Sequence, residues 1–361
     1  MRSSIRRVVA ALANIAVFAL VLVAGCWAIH SRLPIPDVNE VQAKLERLKA
    51  HCNEYDTLFI GTSRIYHHII PGQFDALMAK EGVPTKSFNA AVDGMRAPEN
   101  AYMLDQILRF RPQHLRWVFV ELDSIRVPVD PAKRGTNRVV YWHDWPRLVL
   151  LFRESFDINW PHHPAGVVRA VWAPLAEFWE HLQLFGINMS NMGRGASWME
   201  QMMHPERTEI NWDNLGPKGP DGDGFAEIKD TKRNVRLKID EPDRELFEKR
   251  MAERRERPAR SDYASDISQD AIWAIIHKIE ATGATPVLIV PPTTAQKNFY
   301  PRSRDGKTPI VFDFSEMKRY SELYDEKYRL DTDHLNTPGA ELFTRLLVER
   351  FAEVAKDKAT P

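Results

Sequence analysis

Apolar positions along the chain fall into distinct regimes. Residues 8–29 form an almost unbroken apolar run, interrupted only by Asn14 and small residues, long enough to cross a bilayer as one helix. Beyond it, Val41, Leu45 and Leu48 recur at helical spacing after Pro34 and Pro36, which predicts a linker followed by an amphipathic helix. Short runs of strand formers then alternate with helical periods. Leu58-Phe59-Ile60, Ser87-Phe88-Asn89-Ala90-Ala91-Val92, Trp117-Val118-Phe119-Val120 and Val287-Leu288-Ile289-Val290 read as strands. Ile69 to Met78, with a break near Pro71 and Gly72, the set Ala101, Leu104, Ile107 and Leu108, and the set Ile272, Ile275, Ile276 and Ile279 read as helices, and Leu342, Leu346, Leu347 and Phe351 close the chain as another. This alternation predicts an α/β fold with a doubly wound parallel sheet. Three strands stop at polar turns, after Gly61, Val92 and Leu122, and in such sheets ligands bind at the carboxyl ends of the strands.

The pattern breaks between about 125 and 260. That interval holds seven of the ten tryptophans, Trp142, Trp145, Trp160, Trp172, Trp179, Trp198 and Trp212. It also contains a glycine- and proline-rich loop at 216–224 and a segment of mixed charge at 229–260, which reads as a solvated helix face. Asp221 and Asp223 in the loop lack a complete calcium-loop spacing and read as a plain turn. The expected organisation is a membrane anchor or signal segment at 1–30, a linker helix at 31–52, an α/β domain built from 53–125 and 262–355, and a tryptophan-rich, charged insertion at 126–261.

Charge sharpens the reading of the N-terminus. Arg2, Arg6 and Arg7 precede the apolar run, so the positive-inside tendency keeps the N-terminus cytoplasmic and sends the rest across a cytoplasmic membrane to the periplasm or exterior. Val23-Ala24-Gly25-Cys26 also fits a lipoprotein processing site with Cys26 lipidated, the alternative, but the apolar run continues through Trp27, Ala28 and Ile29 and favours an uncleaved signal anchor. The remaining chain is balanced, with 49 basic and 49 acidic residues among 361, and nothing global argues for nucleic acid. Two cysteines, Cys26 and Cys52, give neither a disulfide framework nor a metal cluster. No metal and no cofactor is expected.

The candidate chemistry starts at Gly61-Thr62-Ser63-Arg64, where a buried strand delivers a hydroxyl through a glycine turn. Nucleophilic serine needs a base and a carboxylate to orient that base. Asp331 and His334, three apart and just before Pro338-Gly339, carry those groups at a spacing that lets the carboxylate reach the imidazole.

The turn at Gly61-Thr62-Ser63, the turn at Asp93-Gly94 and the late Asp331-Thr332-Asp333-His334, followed by Leu335-Asn336 and Gly339-Ala340, together resemble the ordered blocks of the SGNH (GDSL-like) hydrolase superfamily over roughly 55–125 and 265–350. The resemblance implies a flavodoxin-like α/β/α domain of SGNH type. In it Ser63 would be the nucleophile, His334 the general base and acid, and Asp331 its orienting partner, with Asp333 the less favoured orienter. The family's first block usually has aspartate where Thr62 stands, and its third usually supplies an oxyanion-hole asparagine where this chain reads Glu121-Leu122-Asp123-Ser124. An ionised Asp123 would repel an oxyanion. Either the amides of Ser63 and Gly94 suffice, or Asp123 serves otherwise, as by pairing with Arg64 or Arg96.

Such departures, together with the N-terminal membrane segment, resemble the polysaccharide O-acetylation proteins of the alginate O-acetylase type. That likeness implies a serine O-acyltransferase or acylesterase acting on a cell-surface or secreted polysaccharide beside a membrane-bound O-acyltransferase partner. The alternative is an inactive SGNH-fold subunit that binds polysaccharide or assembles an envelope complex. Trp142 and Trp145 are candidate glycan contacts. Trp172, Phe178, Trp179, Leu182 and Phe185 fit either packing in a core or resting on a membrane interface.

Overall fold

The computed structural model describes residues 2–33, 35–36, 38–123, 125, 128–129, 134, 136–155, 157, 164–191, 194–205, 210–228, 241–256, 265–293, 300–331 and 333–359. Ser124, Trp160, Thr332 and the 229–240 and 257–260 parts of the charged segment lie outside these residues. In chain order the helices are α1 (Arg2–His30), α2 (Asn39–His51), α3 (Ser63–Tyr66), α4 (Pro71–Lys80), α5 (Ala97–Arg109), α6 (Asn137–Val140), α7 (Trp145–Ser155), α8 (Pro164–Met189), α9 (Arg194–Met203), α10 (Glu241–Glu256), α11 (Asp266–Glu280) and α12 (Thr337–Ala359). The strands are β1 (Thr57–Ile60), β2 (Ser87–Asn89), β3 (Trp117–Glu121), β4 (Thr285–Val290) and β5 (Val311–Asp313). The chain forms two compact units. One joins Met1–Val38 to Pro128–Glu209, and the other joins Asn39–Val127 to Ile210–Pro361. The interval 126–261 is therefore shared between the units.

The second unit is α/β. Its five strands are all parallel, in the order β2-β1-β3-β4-β5, with Thr57 opposite both Ser87 and Trp117. β5, which the apolar pattern did not suggest, adds the far edge strand. One face of the sheet carries Phe59, Trp117, Phe119, Val287 and Ile289 into a core with Phe74 and Met78 of α4 and Phe343, Leu347 and Phe351 of α12. Phe351 meets Phe119 and Trp117 edge-on at 4.9 and 4.8 Å. Burying each such ring contributes roughly 1.5–3 kcal/mol. Strand alternation turns Leu58, Val118 and Leu288 to the opposite face, where α5 packs near β1 and α11 near β4. Pro71 opens α4 at its first turn, so the predicted break is a helix start.

Helix α2, predicted as a linker helix, buries Val41, Ala43, Leu45 and Leu48 within this unit. It also buries Lys44 completely. The Lys44 ammonium donates to the carbonyls of Asn89 (3.1 Å), Gly224 (2.9 Å) and Ala91, and lies 3.6 Å over the Tyr66 ring. Burial holds this lysine well below the ordinary lysine range. The 216–224 loop reaches the edge of β2, where Asn89 N–H donates to Asp223 O at 2.8 Å. Asp221 instead faces Arg47 at 3.6 Å and Asp223 accepts from Gly72 N–H, so the two aspartates serve different partners. In α10, Phe247 and Met251 are buried, so this part of the charged segment has an apolar stripe.

The first unit is helical. Trp145 and Phe152 of α7 meet Phe185 and Phe178 of α8 at 6.1 and 5.0 Å, a pairing that runs the two helices antiparallel. Helix α1 contains a stretch, Ile5–His30, long and apolar enough to cross a membrane. Asn191, just past α8, donates to Cys26 O at 2.8 Å and lies 3.0 Å from His30 Nδ1.

Candidate active site

Strand β1 is buried along its whole length and ends at Ile60, just before Gly61. A Cβ on Gly61 would stand 2.6 Å from Glu121 Oε2 and run into the Ile65 side chain, so only glycine lets the turn pack against the end of β3. Thr62 then caps α3, its hydroxyl accepting from Arg64 N–H at 3.1 Å. This delivers Ser63 to the carboxyl edge of the sheet.

Ser63 Oγ is 2.8 Å from His334 Nε2. His334 Nδ1 lies 3.0 and 2.9 Å from the two oxygens of Asp331, whose Oδ1 also accepts the backbone N–H groups of Asp333 and His334 at 2.7 Å each. Those amides fix the carboxylate, and the carboxylate fixes the ring. Burial pushes the Asp331 carboxyl up, but its bonds from His334 and the amides hold it below the usual carboxylate range. Burial lowers His334, yet the hydrogen bond and charge of Asp331, with Asp333 and Asp93 nearby, outweigh it and hold the imidazole above its ordinary value. Asp333 accepts instead from Thr293 Oγ1 at 3.1 Å, which leaves Asp331 as the residue oriented on the ring.

These groups open on a cavity of ≈ 350 Å³ lined by Thr62, Ser63, Arg64, Gly94, Met95, Arg96, Asp123, Asp333 and His334. The structure thus brings together every residue that the sequence placed near the serine. Asp123 does pair with the arginines, 3.0 Å from Arg96 Nε and 3.8 Å from Arg64. Arg64 is held more closely by Glu121, at 2.7 Å. Glu121 also accepts Thr62 N–H at 2.6 Å and the Thr62 hydroxyl at 3.3 Å. Burial pushes the Glu121 carboxyl up, opposed by Arg64 and the Thr62 donors. Two guanidinium groups thus face two carboxyl groups, and each carboxyl group has a cationic partner. Among the described residues neither Ser63 N–H nor Gly94 N–H is paired with a protein acceptor. Gly94 sits at φ +65°, a conformation that favours glycine.

Sequence reasoning passed over the groups that brace this edge. Asn89, at the end of β2, donates to the carbonyls of Ile65, Tyr66 and Ile69 at 2.9 to 3.3 Å and so ties β2 to the segment carrying Ser63. His67 joins that segment to the Gly94 turn through Asp93, at 2.8 Å. The signal for Glu121 was a carboxylate inside an apolar strand, a placement that requires a buried partner.

His68 is fully buried, and its Nε2 accepts Leu335 N–H at 2.9 Å, next to His334. Burial, reinforced by neighbouring His334 and His67, holds it well below the ordinary imidazole range. It therefore stays neutral in the fold while the unfolded chain takes a proton below pH about 6.5, so stability is expected to fall as pH drops below that value. His68→Phe strands the Leu335 amide, at a cost of about 1–3 kcal/mol. Urea unfolding is expected to show a lower midpoint and a flatter acid decline in this variant, and an unchanged midpoint would remove His68 from this role.

The candidate glycan contacts lie in the helical unit. Trp142 is buried and stacks on His143 at 3.8 Å, so it offers no open face to a sugar. Trp145 is 64% exposed. No protein-family model matches the chain and no curated protein matches it, so the chemical reading rests on the residues described above.

Proposed function

We propose that the protein is a membrane-anchored serine O-acyltransferase or acylesterase of SGNH type that acts outside the cytoplasmic membrane on a cell-surface or secreted polysaccharide. The observation that carries this reading is the hydrogen-bonded chain from Ser63 through His334 to Asp331 at the mouth of a polar cavity. The strand order 2-1-3-4-5, with the serine after β1 and the histidine just before the last helix, agrees with the flavodoxin-like arrangement that the resemblance implies. In this reading α1 crosses the bilayer with Arg2, Arg6 and Arg7 on the cytoplasmic side. Processing at Cys26 would instead leave a lipid anchor at that point.

The chemistry runs in two halves. Ser63 Oγ attacks the carbonyl carbon of an acyl donor while His334 Nε2 takes its proton. The negative charge gathers on the carbonyl oxygen, where the amides of Ser63 and Gly94 donate and Arg96 offsets the field of Asp123. The tetrahedral intermediate collapses, the donor's leaving group departs with the proton from His334, and Ser63 carries the acyl ester. A sugar hydroxyl or water then gives its proton to His334 and attacks that ester. A sugar yields an acylated glycan and water yields free acid, and in both cases Ser63 is restored. Facing the exterior, the enzyme requires a donor delivered across the membrane, the role of a membrane-bound O-acyltransferase partner.

The test is trapping. The full chain incubated with an activated acetyl ester is expected to carry an acetyl group on the Ser63 peptide by mass spectrometry, and added oligosaccharide is expected to discharge it. A serine-directed phosphonate is expected to label the same residue. No adduct with either reagent would leave a binding or assembly subunit as the better reading.

A further inference from the structure

Helix α7 turns two of its charges inward and three of its large apolar side chains outward. It buries Arg147 at 3% exposure and Glu154 at 8% beside Leu148 and Leu151, while Trp145, Val149 and Phe152 are 64, 41 and 47% exposed at positions i, i+4 and i+7, with Arg153 as the exposed charge at their margin. Arg147 is satisfied internally by Asp144, with Nε donating at 2.7 Å. On α8 the exposed positions include Trp172, Ala176, Trp179, Gln183 and Gly186, a stripe at helical spacing without a single charge. Trp172 and Trp179 are 67 and 58% exposed. Helix α9 exposes Met199, Met202 and Met203, with Glu200 among them. A helix facing water places its charges outward. Large apolar side chains exposed in rows of this kind mark an interaction face.

The same unit ties these helices to the end of α1. Asn191 joins the end of α8 to Cys26 and His30, the last turn of α1. Asn188 ties the same end to the segment entering α7 by donating to Tyr141 O and His143 O at 3.3 and 3.2 Å. The start of α7, the end of α8 and the end of α1 therefore meet at one place. Trp27, on the last turns of α1, is 65% exposed there, and tryptophan is enriched at the level of lipid headgroups.

We propose that α7, α8 and α9 seat the helical unit on the outer surface of the bilayer that α1 crosses, their exposed tryptophan, phenylalanine and methionine side chains lying among headgroups and upper acyl chains. This rests on reading α1 as a membrane span. The three helices are then interfacial helices whose outward apolar side chains are solvated by lipid while exposed Arg153 and Glu200 reach the headgroups. Arg147 and Glu154 turn inward because the outward side is the less polar one.

Spin-label accessibility tests this on the full chain, with both cysteines replaced by serine, in liposomes of phosphatidylethanolamine and phosphatidylglycerol at low protein density. Single labels go on Val149→Cys, Trp172→Cys and Trp179→Cys, with Leu20→Cys as the hydrocarbon reference and Glu81→Cys, on the α/β unit, as the aqueous one. The three test labels are expected to favour oxygen over a water-soluble nickel chelate, at depths between the two references. If they match Glu81→Cys while Leu20→Cys remains in hydrocarbon, the anchor stands and the proposal falls. Protection from both reagents would also overturn it, since the stripe would then be covered by a second copy of the chain. An aqueous Leu20→Cys would overturn the span and the proposal together. Independently of the labels, lipids brominated near the headgroup are expected to quench the tryptophan emission of the unmodified protein, and less so after Trp145→Phe, Trp172→Phe and Trp179→Phe together. Equal quenching in the two would overturn the proposal.

Discussion

Ser63→Ala is expected to reduce acyl transfer and ester hydrolysis by roughly 10³- to 10⁶-fold while leaving the fold intact. The Ser63 hydroxyl is the group within 2.8 Å of His334 Nε2, so the variant removes both the attacking oxygen and the proton that the imidazole takes. Its stability should change by no more than about 0.5 kcal/mol. Thr62, not Ser63, caps α3, and the brace through Glu121, Arg64 and Asp123 involves no atom of the serine side chain. Initial rates on an acetyl ester, measured beside thermal unfolding of the same preparation, separate the two effects. Full turnover in a folded Ser63→Ala protein would end the nucleophile assignment.

Asp331→Asn is expected to lower the rate by about 10²- to 10⁴-fold and to move its pH dependence. Burial depresses His334, and the hydrogen bond and charge of Asp331 more than restore it, so the imidazole titrates above its ordinary value. General base catalysis needs the neutral ring, so kcat/KM should rise with pH through that raised value. Without the carboxylate the balance reverses, burial dominates, and the rising limb moves to lower pH with a reduced plateau. The asparagine amide also presents a donor where the ring needs an acceptor, which favours the wrong tautomer. A limb that stays in place would show that Asp331 does not set the base. The geometry gives Asp333 no comparable claim, because it accepts from Thr293 instead.

Much of this site was legible in the chain before its structure. An apolar run ending in glycine and serine predicts a strand that presents a hydroxyl, and β1 ends at Ile60, three residues before Ser63. The late Asp331 and His334 lie in a local turn, so sequence spacing alone brought carboxylate and imidazole within reach. The pairing of Asp123 with Arg64 and Arg96 stood among the alternatives because all three close predicted strands or turns on one sheet edge. The bracing groups were not legible in the same way. Asn89 looks like the polar end of a strand, and its three bonds depend on how the segment after Ser63 folds back over it. β5 is three residues long, and only its pairing with β4 makes it a strand.

Period and local turn chemistry act between residues close in the chain, so the sequence by itself determined the apolar helix, the α/β alternation, and the turns that present Ser63 and His334. Burial depends on segments distant in the chain. Lys44 sits on a helix with an ordinary amphipathic pattern, and only carbonyls at Asn89, Ala91 and Gly224 make it an internal strut. Arg147 and Glu154 are likewise turned inward only by the packing of the helical unit, which leaves Trp145 and Phe152 outside. The tertiary structure decided which side of each helix is the interior, because a polar group can leave water only where partners from elsewhere in the chain replace it.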